Sequence, residues 1–154
     1  GADRIQTYGK QIHPARPMIK QALTDIEAMV PPEATLAVLP EGALLNYWTR
    51  HSNPTGYIVL MPPELLMFGT ANILSAFEHS PPDYLVLIHK DMNEYGCGPF
   101  GSASYGVAIV RWIQTHYSSI KTIGAPPSAT DQFGIQILRW APDQRNSGTL
   151  PEVP

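Results

Sequence analysis

The thirteen residues at 89–101, HKDMNEYGCGPFG, place one imidazole, one ammonium, two carboxylates, one amide, one thiol and three glycines in a single stretch. Each grouping within it invites a specific chemistry. His89 and Asp91 lie two apart beside Glu94, and at a strand end such neighbours point to the same side, as metal ligands must. This loop holds a single His, however, and His13, His51, His79 and His116 have no ligand spacing, so no metal is expected. Asp91 with Glu94, or Glu41 with Glu64, could form a carboxylate pair for general acid–base work. Sequence leaves their separations open, and Glu41 could equally pair with Arg50.

Two further templates fail. Gly96, Gly98 and Gly101 imitate the G-x-G-x-x-G spacing of a dinucleotide fingerprint. That fingerprint belongs in the first strand-to-helix turn, with an acid some twenty residues on. Here the glycines follow a later strand, Pro99 intervenes, and 111–124 carries no acid, so no nucleotide cofactor is expected. SASYG at 102–106 has Ser102 where a nucleophile elbow requires Gly, and it does not directly follow a strand. The glycines suit a tight turn that brings Cys97 and Phe100 close to backbone.

The elements that position this loop are punctuated by proline. The sixteen prolines are about twice the ordinary share, and eight form four Pro-Pro pairs. Ile19, Leu23, Ile26 and Val30 recur at helical spacing until Pro31-Pro32 stops the helix. TLAVLP (35–40) reads as a buried strand, EGALLNYWTRH (41–51) as a short helix and YIVLM (57–61) as a second strand. Pro62-Pro63 opens a helix that breaks at Gly69, where Thr70 could cap a second piece carrying Ile73, Leu74 and Phe77. DYLVLI (83–88) is the third strand. A helix over about 104–117, a fourth strand SIKTIG (119–124), a polar loop from Pro126-Pro127 and a fifth strand FGIQILRW (133–140) complete the pattern.

Strands alternating with helices, each strand nearly all apolar, predict a three-layer α/β/α sandwich on a mostly parallel five-stranded sheet. The short link between the last two strands predicts an antiparallel fifth strand at an edge. The chain is read as one domain over 1–140, followed by a loose tail at 141–154 that lacks periodicity.

In such sheets ligands bind beyond the carboxyl ends of the strands. Three segments meet there: Glu41, Asn46, Tyr47 and Arg50 after the first strand, Glu64 after the second, and His89, Lys90, Asp91, Glu94 and Tyr95 after the third. These ten residues form the candidate binding rim, and no catalytic residue is assigned. Trp48, Trp112 and Trp140 read as packing residues, although Trp48 lies beside the rim.

Composition narrows the function classes. A net charge of −3 and pI near 5.9, without any Lys/Arg cluster, give no footprint for nucleic acid. The apolar fraction of 44% against 15% charged is that of a folded globule. Cys97 alone excludes an intramolecular disulfide or a CxxC site. The apolar run 55–77 is broken by Pro62, Pro63, Glu64 and Gly69, so it is not read as a membrane span. Pro54 abolishes the glycosylation acceptor at Asn53. The opening GADRIQ lacks an initiator Met, which reads as a piece of something longer.

The segments LPEGALLNYWTRHSNPTGYIVLMPPELL, PPDYLVLIHKDMNEYG and FGSASYG, in that order, resemble the C-terminal soluble region of bacterial multi-spanning membrane glycosyltransferases. These are of the protein-mannosyltransferase-like group, which use lipid-phosphate sugars. The resemblance spans about residues 17–140 and rests on LPEG, NPT, MPPEL, HKD and EYG. It implies a periplasmic domain whose partners are the membrane domain of the same polypeptide and a glycan or lipid-linked sugar. It also implies that the domain is not catalytic in isolation, because the family's catalytic acid lies in a loop between membrane helices. The alternatives are a self-sufficient α/β hydrolase using Glu41, His89 and Asp91, or a sugar- or partner-binding module.

Overall fold

The computed structural model describes residues 15–128 and 132–141. Helix α1 (Ala15–Met29) buries Ala15, Ala22 and Ile26, and Val30 continues the same stripe until Pro31-Pro32 ends it. Strand β1 (Leu36–Leu39) is followed by α2 (Ala43–Thr49), then α3 (Pro62–Phe68) and α4 (Thr70–His79). Strand β2 (Tyr84–Ile88), a 3₁₀ turn at Asn93–Tyr95, α5 (Val107–His116), β3 (Tyr117–Gly124) and β4 (Gly134–Trp140) follow. The Leu39–Pro40 peptide is cis. The tail expected at 141–154 lies outside the described residues beyond Ala141.

The strands form an open four-stranded mixed sheet in the order β1-β2-β4-β3, not the expected five-stranded, mostly parallel one. Only β1 and β2 pair in parallel, while β4 runs antiparallel to both of its neighbours. The fifth expected strand is indeed antiparallel, but it sits between β2 and β3 and not at an edge. Burial explains the exchange. Strand β4 carries Ile135, Ile137 and Leu138, all buried, whereas β3 presents Ser119, Lys121 and Thr122 to solvent. The apolar strand takes the interior position, and the polar, lysine-bearing one blunts the edge.

YIVLM at 57–61 is not a strand, and only Val59 forms an isolated antiparallel bridge, to Glu41. Local side chains take the backbone groups that a ladder would need. Asn53 Nδ2 donates to the Tyr57 carbonyl at 2.9 Å, and the Tyr57 N–H donates to Thr55 Oγ1 at 3.2 Å. Pro62 and Pro63 then start α3 directly, while Leu60 and Met61 are buried. The break expected at Gly69 is present at φ 78°, but Gly69 itself is the N-cap of α4 and Thr70 makes no capping bond.

Alternate residues of the sheet enter two cores. Ala37, Leu39, Leu85, Leu87 and Leu138 pack with Ile73 and Phe77 of α4 and Ile109 and Ile113 of α5. Leu36, Val38, Val86, Ile88, Ile135 and Ile137 pack on the other face with Ala22 and Ile26 of α1 and Leu45 of α2. Strands buried on both faces require the near-continuous apolar runs seen in the sequence. Each fully buried Leu, Ile or Phe contributes about 1.5–3 kcal/mol relative to exposure.

Candidate functional site

Strands β1 and β2 run side by side in register from Leu36↔Tyr84 to Leu39↔Leu87, so the segments following them emerge together. Glu41 and Lys90 meet there, with Lys90 Nζ 2.7 Å from Glu41 Oε2. Both side chains are about half exposed, at 42% and 47%. The bond to Glu41 raises the pKa of Lys90 above its ordinary value, opposed by partial burial and reinforced by the Glu41 and Glu94 charges. Gly42 is required beside this pair, since a Cβ there would meet Val38 Cγ1 at 2.2 Å and Ile88 Cδ1 at 3.2 Å.

The segment before α3 docks onto the same end. Leu60 N–H donates to the Pro40 carbonyl at 2.7 Å, and the buried Tyr105 hydroxyl donates to the Leu60 carbonyl. Burial pushes the Tyr105 phenol well above its ordinary pKa, and the charge of Glu64 adds to the effect. Glu64, in the first turn of α3, has its Oε2 atom sealed from solvent without a hydrogen-bond donor among the described residues. Tyr105 was not among the expected site residues. Its only sequence signal is a tyrosine inside a glycine-flanked loop, which does not disclose the carbonyl it reaches.

His89, Lys90, Asp91, Met92, Asn93, Cys97, Gly98 and Pro99 line a cavity of about 180 Å³. The loop around it is locally braced. Asp91 Oδ1 accepts the Asn93 N–H at 2.9 Å, which opens the 3₁₀ turn, and Gly96 closes that turn in the left-handed region at φ 67°. Gly98 N–H donates to Ser104 Oγ at 3.2 Å, and the Cys97 thiol donates to the Tyr95 carbonyl at 3.5 Å. Gly106, at φ 70°, leaves no room for a Cβ because the Phe100 ring is 2.4 Å from where it would lie. His89 is tied to the sheet through its backbone N–H to the Gly134 carbonyl at 2.9 Å and through Nδ1 to the Pro127 carbonyl at 3.3 Å.

The fold divides the ten expected rim residues. Glu41 meets Lys90; His89, Lys90 and Asp91 line one cavity; Glu94 and Tyr95 stand exposed on the adjoining turn; and Glu64 lies close enough to Tyr105 for its charge to act on the phenol. Asn46 and Arg50 go elsewhere, because α2 runs back alongside β1 toward its start. Asn46 Nδ2 donates to the Leu36 carbonyl at 2.7 Å and to the His51 carbonyl at 3.2 Å. The Leu36 N–H in turn donates to the Ser52 carbonyl at 2.9 Å. Asn46 is thus a brace inside the fold. Arg50 places its guanidinium 4.6 Å from the Tyr47 ring centroid. His51 is buried, with Nε2 donating to the Pro31 carbonyl at 3.1 Å.

Chemically, the cavity lining offers an ammonium, a carboxylate, an imidazole, an amide and a thiol, with a second carboxylate, Glu41, paired to the ammonium. Among the described residues His89 makes no hydrogen bond to a carboxylate, so Glu41, His89 and Asp91 do not form a relay. Also among the described residues, no three His, Cys, Asp or Glu side chains converge to hold a metal ion. No described helix is long and apolar enough to cross a membrane. Comparison with protein-family models, curated proteins and solved structures finds no match for the chain.

Proposed function

We propose that this chain is a recognition domain of a membrane glycosyltransferase-like protein, and that its rim meets a lipid-linked sugar or an acceptor glycan at the periplasmic face. The observation that carries this reading is the coincidence of two surfaces at one end of the sheet. The Glu41–Lys90 pair and its cavity lie there, and so does α3, which has no buried residue and exposes Leu66 at 87% and Met67 at 69%. Leu44, two residues beyond Gly42, and Ile58, beside the Val59–Glu41 bridge, are also exposed. We read these exposed apolar side chains, on segments that start at the end of the sheet where the pocket lies, as part of one interaction surface with it. An amphiphile with a polar head and a lipid tail matches both halves: a phosphate to Lys90 and Asn93, hydroxyls to Asp91 and Asn93, and hydrocarbon to α3. The resemblance through LPEG, MPPEL and HKD points to the same class of partner.

A ¹⁵N NMR titration with a short-chain prenyl phosphomannose tests the reading. Saturable shifts are expected at His89–Cys97 and along Pro62–Phe68, weakened at least tenfold by Lys90→Ala. Absent shifts, or shifts unchanged in Lys90→Ala, refute it. Membrane-span codons ahead of Gly1 in the parent reading frame are also expected, and a frame without them would sink the membrane assignment.

A further inference from the structure

Helix α3 ends in three large apolar residues, Leu66, Met67 and Phe68, all of them exposed. The residue before them, Leu65, is partly buried and packs against the core on the α4/α5 side of the sheet. Successive helical residues step about 100° around the axis, so the three that follow Leu65 occupy the rest of the circumference. Away from Leu65 this helix end therefore offers water no polar stripe.

The same end is braced. The Tyr57 ring meets Phe68 edge-on at 5.3 Å and 65°, and Tyr57 itself packs on the core. Two carbonyls of the last turn already have donors: Leu65 accepts the Gly69 N–H at 3.0 Å, and Phe68 accepts Asn72 Nδ2 at 2.9 Å. Each satisfied carbonyl lowers the cost of taking this end out of water. Ile58, next to Tyr57 in the chain, adds a further exposed apolar side chain. Charge is nearly absent. Glu64 is the single charged residue in 55–77, and its Oε2 is sealed from solvent.

We propose that the end of α3 inserts into the surface of a lipid bilayer with zwitterionic headgroups, docking the domain peripherally. The inference shares α3 with the reading above but needs neither the rim cavity nor a sugar. Geometry selects the occupant. A protein groove takes one stripe of a helix, with anchors at i, i+3 and i+4 spacing. Consecutive apolar residues spread around a helix end are covered together only by a medium that surrounds it, as acyl chains do. Charge selects the lipid. The segment 55–77 carries no cation to meet an anionic headgroup, and the chain's net charge of −3 is repelled by an anionic surface. An anchor of three or four side chains binds weakly and reversibly.

The test is flotation of the full 154-residue chain with phosphatidylcholine vesicles free of any glycolipid, at up to about 5 mM lipid. It is paired with ¹⁵N NMR in phosphatidylcholine bicelles carrying a doxyl label on the acyl chain. Saturable association is expected, unchanged in about 0.5 M NaCl and weakened when about a third of the lipid is phosphatidylglycerol. Selective broadening is expected at the Ile58 and Leu66–Phe68 amides. The double variant Leu66→Ser, Met67→Ser, at two exposed positions, should keep its circular dichroism and lose at least tenfold in vesicle affinity. The proposal is overturned by no association, by equal association of the double variant, by broadening that maps elsewhere, or by association that requires phosphatidylglycerol and is lost in salt. Self-association of the wild type without lipid, abolished in the double variant, would overturn it by assigning α3 to a second copy. Absent shifts with prenyl phosphomannose would remove the rim reading and leave this one standing, since these vesicles contain no such ligand.

Discussion

Lys90 Nζ sits 2.7 Å from Glu41 Oε2, so an ion pair closes the gap between the segments that leave two parallel strands. Because both side chains are about half exposed, the pair fixes loop geometry more than it stabilises the fold. Lys90→Ala or Glu41→Gln is expected to shift stability by no more than about 1 kcal/mol in urea denaturation. A loss above about 2 kcal/mol would show that the pair is buried in solution.

Tyr105 is the stronger anchor of this end. Its hydroxyl, buried, donates to the Leu60 carbonyl, and removal leaves that carbonyl without its donor. Tyr105→Phe is expected to cost about 1–3 kcal/mol, read as a lowered urea midpoint at unchanged slope.

Alkaline pH should unfold the protein through its tyrosines. Burial raises the phenol pKa of both Tyr105 and Tyr117 above the ordinary value of 10.0. The native state keeps its protons where the unfolded chain releases them. Stability is therefore intact below about pH 10 and falls as pH rises toward the raised folded pKa, by up to about 1.4 kcal/mol per pH unit per group. Lys90, also raised, contributes in the same direction. Denaturation midpoints between pH 8 and 11 should fall less steeply in Tyr105→Phe than in the wild type, and parallel slopes would contradict this origin.

Gly42→Ala places a methyl 2.2 Å from Val38 Cγ1 in the core under α2. A cost of about 1–3 kcal/mol is expected in thermal melts followed by circular dichroism. Gln114→Ala, on the exposed face of α5, serves as the control and should stay within about 0.5 kcal/mol.

Asn46 distinguishes a brace from a ligand contact. Asn46→Ala removes the bonds to the Leu36 and His51 carbonyls, and a loss of about 1–3 kcal/mol is expected by the same melts. Binding at the rim, measured by the prenyl phosphomannose titration, should be unchanged where the variant is folded.

Local chemistry made much of this legible beforehand. Apolar runs disclosed β1, β2 and β4, and Pro31-Pro32, Pro62-Pro63 and Gly69 disclosed where helices stop, start and break. These features depend on neighbours in sequence. YIVLM misled because the capture of the Tyr57 backbone by Asn53 and Thr55 is a turn interaction that hydrophobicity does not report.

By itself the sequence determined which segments are buried, which loops are polar and that His89–Gly101 follows a strand, since burial and turn formation are dictated by residue type. The tertiary structure alone decided that β4 inserts beside β2, that α2 turns Asn46 away from the rim and that Lys90 finds Glu41. Each of these is a pairing between residues distant in sequence, selected by the register and order of strands that only the assembled cores enforce.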